Sequence, residues 1–210
     1  MSHPFDDTTR QQIAGRCAAF PRLAVDGAGL GLKRAAVAIA LVAAEAAGAG
    51  TALLLTLRVA GLRAHSNQWA LPGGRCDEGE TQVAAALREL QEELGLNLGQ
   101  EHVLGSLDDY PTRSGYLITP LVIWAEQTRP LLPNPEEIAS IHRIPLAEIA
   151  RADAIDFVAI AESERRVIRI RMNGSLVHAP TAAVVYQFHE VLAGRPTRVA
   201  DLEQPVFAWR

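Results

Sequence analysis

Hydrophobic and polar positions change period several times along the chain. "AAVAIALVAA" at 35–44 and "TALLLTLRV" at 51–59 are near-continuous apolar runs, the pattern of buried strands. The gap between them contains Gly48 and Gly50, which predicts a hairpin. From Glu80 to Leu94 the period lengthens. Val83, Leu87, Leu90 and Leu94 recur at spacings of four, three and four, one apolar stripe of an amphipathic helix, and Gly95 supplies its C-terminal stop. Further strands are predicted at 116–125 and in "RVIRIRM", and "IASIHRIPLAEIA" reads as a strand running into a short helix. "TAAVVYQFHEVLAG" closes as a helix ending at Gly194. Near the start, residues 7–19 fit a short helix with Asp7 or Thr8 as cap. "AGLRAHSNQWALPGGR" and "TRPLLPNPEE" read as loops. Strands outnumber helices but are interrupted by them, which predicts an α/β (α+β) fold, a sheet with helices on its faces.

Composition narrows the class. The 210 residues are 49% hydrophobic and 21% charged, which fits one globular domain with a sizeable core. Net charge is −4, without the basic excess of a general nucleic-acid binder. The longest apolar run, ten residues at 35–44, is too short to span a bilayer. The N-terminal residues show no basic leader followed by an apolar core. Cys17 and Cys76 lack zinc-ligand spacing and read as free thiols. The expectation is a cytoplasmic protein with no membrane or nucleic-acid partner.

The chemistry concentrates in "GRCDEGETQVAAALRELQEELGL", Gly74 to Leu96. On a helix at 100° per residue, Glu89, Glu92 and Glu93 point to one side while Leu87, Leu90 and Leu94 take another. Carboxylates crowded on one face are costly unless a cation neutralises them, and all-oxygen donors suit Mg2+ or Mn2+. An acidic solvated face with Arg88 as partner is the plainer reading of such a cluster. The preceding Gly73–Gly74 turn, and Glu80 and Arg88 at fixed distances ahead of the acids, add context that a solvated face does not need.

Those residues resemble the Nudix box, G-x5-E-x7-R-E-U-x-E-E-x-G-U with U a bulky aliphatic. Gly74, Glu80, Arg88, Glu89, Leu90, Glu92, Glu93, Gly95 and Leu96 fill every defined position. The resemblance implies a Nudix hydrolase: an α/β/α sandwich around a mixed sheet that cleaves a nucleoside diphosphate linked to another moiety. It implies Glu89 and Glu93 as principal metal ligands, Glu92 completing the set, Arg88 orienting the carboxylates and Glu80 bracing the loop. The general base would be Glu89 or a later loop acid, with Glu136 and Glu137 as candidates. The resemblance covers about residues 33–147, and the domain is expected to span 33–195, with an N-terminal extension at 1–32, partly helical, and a C-terminal tail at 196–210.

Upstream, Arg58, Arg63 and His65 lie between a strand and the Gly73–Gly74 turn, where ligands usually bind, and arginine forks suit phosphate. Leu54, Leu55, Thr56, Arg58, Arg63, Pro72, Gly73 and Gly74 are similar to the signature of the coenzyme A pyrophosphatase subgroup. Val59, Asn67 and Leu71 depart from it. The subgroup resemblance implies cleavage of coenzyme A or its thioesters into 3′-phosphoadenosine 5′-phosphate and a phosphopantetheine. ADP-ribose or NADH are alternative substrates, and a non-catalytic Nudix-like nucleotide-binding module is the alternative of another class. Trp69 and Tyr116 are candidates for stacking on adenine or for packing. The C-terminal helix and "FAWR" end are candidates for a cover over the site or a homodimer contact.

Overall fold

The computed structural model describes residues 3–25, 29, 31–45, 50–60, 68–126 and 130–208. Strands β1 (Lys33–Ala43) and β2 (Thr51–Arg58) form the predicted hairpin, with Leu41 opposite Leu53. Each is buried on both faces. Along β1, Ala36, Ala38, Ala40 and Val42 enter one core while Ile39 and Leu41 enter the other; along β2, Leu54 and Leu53 divide the same way. Period-two alternation between two dry faces explains why both segments read as unbroken apolar runs.

The sheet grows outward from this pair. It includes β3 (Trp69–Ala70), β4 (Gly73–Arg75), β5 (Val103–Ser106), β6 (Tyr110–Pro111), β7 (Tyr116–Trp124) and β8 (Ile138–Pro145). β7 runs parallel to β1 and the other pairings are antiparallel, so the sheet is mixed. Helix α2 (Gln82–Leu94) covers one face. Its Ala85 and Ala86 meet the small β1 alanines in one core, so the alanine bias of the sequence lets helix and sheet approach closely.

The other face is covered by α1 (Asp7–Ala19), α3 (Leu146–Ile149), α4 (Thr181–Leu192) and a second sheet. That sheet consists of β9 (Ile155–Ile160), β10 (Ser163–Met172) and β11 (Ser175–His178), all antiparallel. Helices thus lie on both faces of the main sheet, in agreement with the expected α+β class.

Local differences from the sequence expectation have physical causes. The cap of α1 is Asp6, whose carboxylate accepts the Thr9 N–H at 2.8 Å; Asp7 and Thr8 lie inside the first turn. α2 begins at Gln82, because Thr81 caps it through the Ala84 N–H. Gly95 ends α2 in the left-handed region at φ 70°, which glycine adopts without a Cβ penalty. The Gly73–Arg75 segment, expected as loop, is a short strand paired with β1.

The N-terminal segment is stitched to the body by two buried acids. Asp109 accepts from Arg22, the Val25 N–H and Thr119, while Asp108 accepts from the Leu23 N–H, Gln187 and Arg198. Among the described residues no helix is long and apolar enough to cross a membrane.

Candidate active site

α2 sets out its three glutamates at different depths. Glu93 is 2% exposed. Its Oε2 accepts the Gly73 N–H at 3.2 Å and its Oε1 lies 3.3 Å from Arg58 Nη1. Glu89 is partly buried against the same turn and meets Arg88 Nη1 at 3.0 Å. Glu92 lies outside this pair. Its side chain is 57% exposed and bonds Arg88 at 2.9 Å. Two of the three acids therefore converge on the glycine turn and the third faces solvent. The 100° spacing alone placed all three together; the sheet edge at β4 separates them, because only the Glu89–Glu93 side of the helix touches it.

The turn is shaped for these carboxylates. Gly73 has φ 153°, and a Cβ there would overlap the Ala36 carbonyl oxygen. At Gly74 a Cβ would overlap the Glu89 carboxylate. Arg88 ties the arrangement together. Its guanidinium donates to both Glu80 oxygens at 3.0 and 3.1 Å, to Glu89, to Glu92 and to the Arg75 carbonyl at 3.0 Å. Glu80 also accepts the Asp77 N–H at 2.9 Å, which closes the loop onto the helix. Among the expected substrate residues, Arg58, Gly73 and Gly74 are assembled here. Arg63, His65 and Asn67 lie outside the described residues.

Burial and like charge set the electrostatics. Burial, and then the Glu89 carboxylate, push Glu93 up to about 8, against the pull of Arg58 and the Gly73 N–H. Burial raises Glu89 too, opposed by Arg88 and helped by Glu92 and Glu137. The Arg88 hydrogen bond holds Glu80 below the usual carboxylate range. Among the described residues no three acid, histidine or cysteine side chains form a closed ligand set. The donor chemistry nonetheless fits a hard cation: Glu89 and Glu93 are crowded carboxylates whose charge is disfavoured by burial, which a divalent ion would offset.

Of the two loop acids, Glu137 reaches the site. Its carboxylate is 3.6 Å from Arg58 Nη2, and its carbonyl accepts the Val59 N–H at 2.9 Å. Glu136 is exposed and takes part in a turn with Asn134.

Beside the glycine turn opens a cavity of about 560 Å³. Val37, Leu71, Ile118 and Val184 make its walls apolar, and Arg58, Arg75, Trp69 and Tyr116 also line it. Arg75 lies over the Tyr116 ring, 5.1 Å from the centroid. The far wall is β11 and the residue-206 turn, through Leu176, His178 and Phe207. The Asn173–Gly174 dipeptide was the available signal for β11: both residues have positive φ, and they form the two-residue turn between Met172 and Ser175.

Residues 32–162, well over half of the chain, match the model of the NUDIX domain. The chain belongs to the NUDIX domain family. Proteins called uncharacterized Nudix hydrolase NudL are similar to it. One, from Photorhabdus laumondii, is 34% identical over 64% of this chain and 74% of its own length. Another, from Yersinia pestis, is 41% identical over 46% of this chain and 49% of its own, so the chain spans about half of that relative. A Nudix hydrolase from M. smegmatis, RenU, has a TM-score of 0.49 at 22% identity, covering 79% of this chain and 89% of that one. A C. elegans Ap4A hydrolase has a TM-score of 0.47 at 20% identity, covering 78% and 99%. Family membership, and relatives called Nudix hydrolases, support a hydrolase enzyme. The cavity wall formed by β11, α4 and Phe207 lies beyond the matched stretch.

Proposed function

We propose that this Nudix hydrolase cleaves the diphosphate bond of coenzyme A or an acyl-coenzyme A, giving 3′-phosphoadenosine 5′-phosphate and (acyl-)phosphopantetheine. The observation that carries the reading is the junction of two features at Gly73–Gly74. A buried and a partly buried carboxylate lie on one side, and on the other a large apolar cavity whose rim bears Arg58 and Arg75. A diphosphate seated at the turn would send its organic half into the cavity, where apolar walls with polar groups set among them suit a bulky substrate.

Mg2+ or Mn2+, held by Glu89 and Glu93 with Glu92 able to contribute from the solvent side, would neutralise diphosphate charge and acidify water. The chain's own groups do the rest. The Glu80–Arg88 fork fixes Glu89, and the Gly73 N–H fixes Glu93. The arginines meet phosphate oxygens. Glu137 is a half-exposed carboxylate beside Arg58, suited to take the proton of the attacking water. The departing phosphate monoester leaves towards solvent.

A substrate panel tests this. Coenzyme A, dephospho-coenzyme A, ADP-ribose and NADH are incubated with Mg2+ or Mn2+ and the products separated. The reading requires coenzyme A to be among the better substrates; a clear preference for ADP-ribose or NADH would overturn it.

A further inference from the structure

Arg58 is placed differently from a simple phosphate ligand. One of its nitrogens lies 3.3 Å from Glu93 Oε1 and the other 3.6 Å from Glu137 Oε2. It thus bridges α2 to the segment leading into β8. Its side chain is still 21% exposed and lines the cavity. A carboxylate as buried as Glu93 needs a compensating charge, and among the described residues Arg58 is the cation paired with it. A divalent ion at Glu93 would remove that need and repel the guanidinium at the same time. The nearest new acceptors for a planar fork would then be the oxygens of the diphosphate.

We propose that Arg58 is an exchangeable counter-ion: it neutralises and positions Glu93 before a divalent ion binds, and passes to the substrate's phosphate when the ion arrives. This rests on the metal-dependent reading above. It makes metal and substrate mutually dependent, since each would free the partner that the other needs.

The test measures Mn2+ binding to the substrate-free protein from the electron paramagnetic resonance signal of free Mn2+. Arg58→Met and Arg58→Gln should each bind Mn2+ about tenfold more tightly than wild type, the scale of a typical coupling between sites. Arg58→Gln keeps a donor for Glu93, which guards against simple misfolding. Arg75→Gln removes a rim cation that lies over the Tyr116 ring and forms no ion pair with Glu93 among the described residues, and should change binding by less than about threefold because solvent screens it. In steady-state assays both Arg58 variants should raise KM for the diphosphate substrate. Unchanged or weaker Mn2+ binding by both variants, or an unchanged KM, would overturn the exchange. A wild-type protein that binds no Mn2+ would instead remove the metal reading on which the exchange depends.

Discussion

Gly74 lies against the carboxylate of Glu89, so closely that a Cβ at residue 74 would overlap its Oε1. Its neighbour Gly73 is tight for another reason, since its Cβ would meet the backbone carbonyl of Ala36 at φ 153°. Substitution by alanine should therefore separate activity from stability. Gly74→Ala meets only the end of a side chain that can turn aside, so the protein should melt within a few degrees of wild type. The displaced Glu89 should lower kcat by about 100-fold, the scale of a misplacement of about 1 Å. Gly73→Ala should cost about 1–3 kcal/mol through backbone strain, at roughly 2–4 °C of Tm per kcal/mol for a chain of this size. Thermal melts and initial rates on the two variants check both statements. Equal effects on both properties would contradict the assignment.

Arg88 serves acceptors on four residues with one planar group. Arg88→Lys keeps the charge but not the fork. The expected result is a kcat about 10–100-fold lower, with a modest stability loss because part of the network is exposed. A lysine variant with unchanged turnover would show that Arg88 merely balances charge.

Much of this arrangement was legible in the sequence. The stripe Val83–Leu87–Leu90–Leu94 fixed α2, and the paired apolar runs fixed the β1–β2 hairpin. Both are local patterns, and the box residues sit at fixed spacings within one of them. The split between Glu92 and Glu93 was not legible, because it depends on where β4 touches the helix. Nor was the cavity. Its walls come from β1, β7, β11 and α4, which are distant in sequence, and the hydrophobic pattern predicts no strand at β9 or β11. "RVIRIRM" alone gave one strand, and only the turns at 161–162 and 173–174 reveal that it is the middle of three.

The two thiols should report on the core. Burial pushes Cys17 up to about 11, whereas Cys76 is only half-buried and raised less by the same cause. At pH 8 an alkylating reagent should modify Cys76 first and reach Cys17 only after unfolding, since the thiolate is the reacting form. Mass spectrometry of timed samples reads the order. Comparable rates at both sites would contradict the burial of Cys17 on the inner face of α1.

The C-terminal segment has its own pH signature. Arg113, with Ser163 and the Gln204 N–H, holds the Glu203 carboxyl at about 2, below its ordinary 4.5. A carboxyl depressed on folding stabilises fully above its unfolded value, and that contribution fades as pH falls through the folded one. Glu203→Gln should therefore lower Tm at neutral pH, with a difference that narrows between about pH 4.5 and 2. Melting curves across that range check it; a difference that widened in acid would contradict the sign.

The most direct test of the central claim is turnover of coenzyme A by wild type and by Glu93→Gln across a Mn2+ titration, with products identified by mass spectrometry. The predicted result is metal-dependent formation of 3′-phosphoadenosine 5′-phosphate and phosphopantetheine by wild type, and a rate at least about 100-fold lower for the variant. A Glu93→Gln protein that forms the same products at a near wild-type rate would contradict it.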